Sequence, residues 1–246
     1  MNTRPEIDAA LAKKIQGAVR DGMADQIAFT EELVRKPSVR GQEHTAQDFL
    51  FQELKARGYA MARWAMDPAE CETHPGFPPA AVPYDNAINV VGTHRPRDEQ
   101  GRSLILNGHV DVVPTGPLDM WERAPFEPHI EGDWLYGRGS ADMKAGLVAN
   151  IFALDALKRL GYQPAATVHV QSVTEEECTG NGALACLARG YVADAALIPE
   201  PFSEHLVTAQ LGVIWFQVHL KGLPTHVAYA GSGSEEHTSD LQSLRQ

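Results

Sequence analysis

The chain reads as an α/β protein built on a sheet with parallel strand pairs. Two observations carry that reading. Short apolar, β-branched runs at Asn89–Thr93, Ser103–Asn107, Thr167–Val173 and Ala195–Ile198 alternate with helical periodicity at Met143–Leu160 and Ala183–Ala188. Histidine or acidic residues follow several of those runs, and the C-terminal ends of strands are where open α/β sheets place their sites. Near Leu211 the pattern changes: Ile214, Phe216, Val218 and Leu220 alternate with Trp215, Gln217, His219 and Lys221. Such alternation fits a half-buried strand of an antiparallel second domain.

From the N-terminus, Ile7, Leu11, Ile15, Val19, Met23, Ile27 and Val34 recur near helical spacing over Glu6–Val34, and Pro37 closes the stretch. A second helix is expected over Glu43–Arg57, with Ala46, Phe49, Leu50 and Leu54 on one side and Gly58 in the stop position. Tyr59–Met66 reads as a strand. Asp67–Asn86, rich in proline and small residues, reads as a long loop, a class more often functional or mobile than neutral. Arg95–Arg102 is turn-like, and Gly161 ends the helix begun at Met143. The domain division expected is residues 1–211, a second domain started over 212–230, and a tail over 231–246. That tail (GSGSEEHTSDLQSLRQ) leaves only Leu241 and Leu244 to bury and reads as a solvated terminus. Its segment SEEHTSDLQSLR also resembles translated sequencing-adapter sequence, in which case the natural protein continues beyond this chain.

A length of 246 residues with 43% hydrophobic content allows a full core. The net charge of −11 lacks the basic stripe of a nucleic-acid binder. No apolar run of membrane-spanning length occurs, and Met1–Ala10 has no signal-peptide core. Cys71, Cys178 and Cys186 form neither a disulfide framework nor a metal-type spacing, which fits a reducing cytoplasm.

The chemistry sits in four segments. Asn107-Gly108-His109-Val110-Asp111 follows a strand, and a His and an Asp two apart on extended chain face the same side. The carboxylate can then hold the imidazole tautomer while the other ring nitrogen binds metal; a capped turn reads the same residues as well. Asp142, in Gly137-Arg138-Gly139-Ser140-Ala141-Asp142-Met143-Lys144, reads as the N-cap of the helix from Met143, a role compatible with metal binding. Its glycines lack the ending of a phosphate loop. Glu175-Glu176-Glu177 after Val168–Val173 is either a solvated charge run or a cation site. Glu200, between Pro199 and Pro201, is a further carboxylate at a strand end. Together these make a hard, oxygen-rich site with one imidazole, suited to zinc, cobalt or manganese.

At these residues the chain resembles the family of acetylornithine deacetylase, succinyl-diaminopimelate desuccinylase, aminoacylase and carboxypeptidase G, over roughly Ala28–Gly231. The resemblance implies a zinc-peptidase-like mixed sheet flanked by helices, followed by a smaller α+β lid that dimerises. It implies two Zn2+ (or Co2+) ions, His109, Asp142, Glu177 and Glu200 as metal ligands, and Asp142 bridging through a cis bond to Met143. Asp111 then orients His109, and Glu176 in TEEECTGNGA is the general base, aligned on Gly182. Glu175 takes no role; a one-residue slide would make it the base instead. His226 in GLPTHVA resembles the lid histidine that reaches a partner subunit's site to stabilise the oxyanion. The family's remaining ligand is a histidine far downstream, and His237 is not assigned to it. The activity implied is deacylation of a small N-acylated amino acid or related amine by a homodimer. The alternatives are a dipeptidase or carboxypeptidase, or a catalytically silent metal-binding fragment.

Overall fold

The structure, a computed structural model, describes residues 8–79, 83–84, 86–203 and 205–208. The chain divides into the units Met1–Glu204 and His205–Gln246. His226, the alternating stretch Val213–Lys221, the boundary at Leu211 and the tail lie outside the described residues.

In order, the first unit holds α1 (Ala9–Asp21), α2 (Met23–Val34), α3 (His44–Ala56), β1 (Ala60–Ala65), β2 (Ile88–His94), β3 (Leu104–His109), β4 (His129–Glu131), β5 (Trp134–Tyr136), α4 (Gly146–Arg159), β6 (Val168–Val173), α5 (Asn181–Ala188) and β7 (Ala195–Leu197). The helical stretch expected to run unbroken to Val34 is two helices. Gly22 ends α1, its amide donating to the carbonyls of Ala18 and Val19, and a Cβ there would lie 1.9 Å from Arg159 Nη1. The break lets both helices lie against α4.

Five strands form one sheet in the order β1-β2-β6-β3-β7. The β1/β2 and β2/β6 pairs are antiparallel, and the β6/β3 and β3/β7 pairs parallel, so the sheet is mixed as the resemblance implied. The parallel register runs from Leu104↔Val168 to His109↔Val173 on one side of β3, and from Leu104↔Ala195 to Leu106↔Leu197 on the other. Three neighbouring strands therefore end on the same edge, delivering His109, the glutamate run and the loop to Glu200.

Leu33, Leu50, Leu54, Leu147, Ile151 and Phe152 from the helices cover Val90, Leu106 and Val170 of the sheet. Every residue of β6 is buried, the polar His169, Gln171 and Ser172 along with its valines, as in a strand covered on both faces. Truncating a fully buried leucine here, such as Leu50→Ala, costs about 2–5 kcal/mol. The segment Asp67–Asn86 is partly docked: Cys71 and Tyr84 pack with Met66, Ala87 and Ala185 of α5.

Two local features depart from the sequence reading. The helix expected from Met143 begins at Gly146, because Asp142 and Met143 have non-helical backbone within the turn Ser140–Ala145. Asp142 is therefore not an N-cap; Ala145 holds that position without a side-chain cap. The hairpin β4–β5 was not foreseen. Its turn, Gly132-Asp133 with φ +60° at Gly132, is a two-residue hairpin signal, but three-residue strands are too short to show a period.

Candidate metal centre

His109, the last residue of β3, is 1% exposed. Its Nδ1 lies 2.8 Å from the backbone carbonyl of Asp111 and 3.5 Å from that residue's carboxylate Oδ1. Either acceptor holds a proton on Nδ1 and turns Nε2 toward the open edge of the sheet. The backbone carbonyl is the closer of the two, an acceptor the residue pattern alone does not reveal. Asp111 is itself buried, and its Oδ2 accepts the amide N–H of Glu177 at 3.1 Å. One carboxylate thus touches both the imidazole and the loop that carries the glutamates.

Around His109 Nε2 stand Asp142 Oδ1 at 3.1 Å, Glu176 Oε2 at 3.6 Å and Glu200 Oε1 at 3.6 Å. Asp142 is held out of the helix by its backbone, and the Asp142–Met143 peptide is cis, as the resemblance implied. Two residues on, the wholly buried Lys144 donates to the carbonyls of Leu33 (3.1 Å) and Lys36 (2.9 Å), tying this turn to the end of α2. Burial pulls its ammonium down to about 7. Glycine brings Glu200 close: a Cβ at Gly146 would lie 2.2 Å from the carbonyl of Pro199, so only glycine lets the Ile198–Pro201 segment pass over the start of α4.

The three consecutive glutamates do not behave alike. Glu175 takes a left-handed backbone, φ +67°, and turns its carboxylate inward, where it is 1% exposed. Arg40 Nε and Nη2 donate to its two oxygens at 2.6 and 2.7 Å, and Thr179 Oγ1 donates to Oε2 at 3.1 Å. The Glu175 carbonyl accepts the amides of Thr179 and Gly180 at 2.9 and 2.7 Å, closing the turn. Such a backbone costs a non-glycine residue about 1 kcal/mol or more and needs surroundings that enforce it; the bidentate arginine does so. Glu176 and Glu177 are left on the side of His109 and Asp142.

The site is acid-rich and strained electrostatically. For His109, burial would lower the pKa, but the carboxylates of Asp111, Glu200 and Glu176 outweigh it and push the imidazole up to about 10. Glu200 is raised to about 7 by burial, with Glu176, Asp142 and Glu177 adding to it against the opposing pull of His109. Glu176 and Glu177 are raised for the same reasons, burial first and neighbouring carboxylates next. A cation relieves all of these at once.

Two triads can hold one. His109, Glu176 and Glu200 offer ligand atoms within 4.8 Å of one another, and so do His109, Asp142 and Glu177. The four expected ligands and the expected base are therefore brought together, with His109 common to both triads, while Asp111 lies behind it. One imidazole and several carboxylates suit a borderline or hard divalent ion of the zinc, cobalt or manganese type. Arg40 and Lys144 were missed by sequence reasoning: Arg40 acts 135 residues away, and an isolated lysine carries no signal that it is buried.

A sequence profile described as peptidase family M20/M25/M40 matches residues 105–239. A succinyl-diaminopimelate desuccinylase of Polaromonas sp. is 29% identical over 229 residues, covering 84% of this chain and 53% of that protein. An N-formyl-4-amino-5-aminomethyl-2-methylpyrimidine deformylase of Halalkalibacterium halodurans is 37% identical over 161 residues, 61% of this chain and 37% of that protein. The chain thus spans about half the length of the desuccinylase it matches. Human carnosine dipeptidase 1 superposes with a TM-score of 0.56 at 21% identity, over 76% of this chain and 40% of that one, a likeness of fold. With the profile spanning more than half of its residues and the same motifs gathered at one sheet edge, the chain belongs to peptidase family M20/M25/M40.

Proposed function

We propose that this chain carries the metal centre of a metal-dependent hydrolase that cleaves N-acyl amides, a deacylase of small N-acylated amino acids or related amines. The observation that carries this reading is the convergence of Asp142, Glu176 and Glu200 on the outward nitrogen of a buried His109. The desuccinylase and deformylase relatives, both named for removing an acyl group from an amine, favour it over a dipeptidase.

His109, Asp142, Glu177 and Glu200 would hold two Zn2+ or Co2+ ions. When bound, the ions supply a water of lowered pKa and polarise the scissile carbonyl. Asp111 keeps the His109 proton on Nδ1, so that Nε2 is free to ligate. Glu176 takes the proton of the attacking water and delivers it to the leaving amine. Its raised pKa suits both halves of that transfer. Glu175 is engaged by Arg40 and has no free oxygen to act as a base, which supports the alignment giving Glu176 that role. His226, from a lid of a second subunit, donates to the developing oxyanion. The reading includes a homodimer working in the cytoplasm. Among the described residues, no helix is long and apolar enough to cross a membrane.

The test is a substrate panel on the purified protein: N-succinyl, N-formyl and N-acetyl amino acids against dipeptides, with chelator and with zinc restored. Acyl amino acids should be hydrolysed, the activity lost to chelator and recovered with zinc. Turnover confined to dipeptides would overturn the deacylase reading.

A further inference from the structure

Behind the metal centre lies a buried polar cluster that the proposed chemistry does not use. Glu43, at the start of α3, is 0% exposed, and neither of its oxygens has a hydrogen-bond partner among the described residues. Gln47 Oε1, Ser172 Oγ and Thr174 Oγ1 are likewise buried without partners, and so is Asp111 Oδ1 apart from the 3.5 Å approach of His109 Nδ1. These groups come from three elements that meet. Gln47, one helical turn after Glu43, donates from Nε2 to the Ser172 carbonyl at 3.0 Å. Ser38 Oγ donates to the Val110 carbonyl at 2.6 Å, and the Val112 amide donates to Ser38 O at 3.0 Å, laying the approach to α3 along the end of β3.

Both oxygens of Glu43 and Oε1 of Gln47 are buried acceptors without a hydrogen-bond partner among the described residues, and His109 Nδ1 approaches Asp111 Oδ1 only to 3.5 Å, so neither buried carboxylate has a close side-chain donor at these oxygens. An ionised Glu43 would leave a buried charge without a partner, which is unfavourable. A proton on Glu43 turns one acceptor into a donor. The charged groups acting on Glu43 agree with this. Asp111 at the end of β3 and Glu175 after β6 both disfavour its ionised form, and Glu175 is already paired with Arg40. Burial is the largest influence, raising the carboxyl to about 7, and the amides of Glu43 and Gly41 only partly oppose it.

We infer that Glu43 is a positioning residue of the metal centre: as a neutral carboxylic acid it donates a hydrogen bond to Asp111, and through Asp111 it fixes the imidazole of His109. This rests on the functional reading above, because it gives Glu43 its purpose through a metal-ligating His109. A buried polar group kept at a cost to the fold, directly behind the residue that orients a ligand, is where function and stability pull apart.

That opposition supplies the test. Zinc affinity is measured by competition with a chromophoric chelator, and the Co2+ absorption spectrum reports ligand geometry. Thermal unfolding of the metal-free chain is followed in parallel, for the unmodified protein, Glu43→Leu and Glu43→Gln. Glu43→Leu should weaken zinc binding about 10–100-fold and alter the Co2+ spectrum, while the metal-free Tm stays level or rises. Glu43→Gln keeps an N–H donor and should retain both affinity and spectrum. Unchanged affinity in Glu43→Leu would overturn the inference and leave a packing role only. A loss of zinc affinity of about tenfold or more in Glu43→Gln would also overturn it, because a carboxylate rather than a donor would then be required; this arm stands even if the leucine variant does not fold. Failure of the unmodified chain to bind zinc would instead bring down the functional reading, and the inference with it.

Discussion

The two sides of the metal centre are built in opposite ways. The His109 and Asp111 side chains are 0% and 3% exposed, buried between the end of β3 and the glutamate loop. The carboxylates opposite them are open: Asp142 is 55% exposed, Glu176 50% and Glu200 35%. One wall is fixed before any ion arrives, and the other can adjust its oxygens around one. The difference suits a ligand set of mixed type. An imidazole has one lone pair in one direction and must be aimed in advance, whereas a carboxylate can reach an ion from several directions and needs less aiming.

The strongest way to break this contrast is at the open wall. Glu176→Gln should cut turnover about 10²–10⁴-fold, the usual worth of a general base, with zinc content retained. Glu177→Gln should lower zinc content as well. Because Glu176 also belongs to a triad with His109 and Glu200, metal loss in Glu176→Gln would recast it as a ligand. At the fixed wall, His109→Ala should weaken zinc binding by about 100-fold or more, beyond the effect of Glu177→Gln. Equal effects, measured by chelator competition, would erase the distinction between the walls.

Acidity sharpens the contrast further. A metal must displace the proton on His109, held up to about 10, and any proton on Glu200, held up to about 7. Zinc affinity should therefore climb as pH rises from below 7 toward 10, by about tenfold per unit for each proton displaced. In His109→Ala the climb above pH 7 should flatten. A titration series of binding isotherms reads both slopes. The smallest effect is expected behind the glutamate loop. Arg40→Met leaves Glu175 buried with Thr179 as its remaining side-chain donor, which costs about 1–3 kcal/mol, discounted because Arg40 is itself 29% exposed. Chemical denaturation should record that loss with the unfolding slope unchanged. A variant as stable as the original would show that the left-handed turn at Glu175 holds without its arginine.

The sheet and the ligands were legible in the sequence for one reason. β3 opens on the apolar run Leu104-Ile105-Leu106 and β6 carries Val168, Val170 and Val173, and the ends of these strands lead directly to His109 and to the glutamates. What stayed hidden was either conformational or distant. The break at Gly22 packs against Arg159 of α4, and the departure of Asp142 from helical geometry interrupts a periodicity that otherwise runs on smoothly. In TEEEC nothing in the letters separates Glu175 from its neighbours; the separation comes from Arg40, far away in the chain. Glu43 sits in a helix start where an acidic residue is ordinary, and only its burial makes it unusual.

The shared exit edge of β3, β6 and β7 has a consequence for how this protein can change. The spacing between His109, the glutamates and Glu200 is set across the sheet, where neighbouring strands lie about 4.8 Å apart. It is not set along the chain, where the same residues are separated by dozens of positions. Sequence between the strands is thus uncoupled from the geometry of the centre. Segments such as the turn at 95–102 or the exposed ribbon of β4 and β5 can be lengthened, shortened or fused to another module, and the distances between the ligand-bearing strands will not register it. A single-residue slip inside β3 has the opposite outcome: it would swing His109 to the other face of the sheet and dismantle the site in one step.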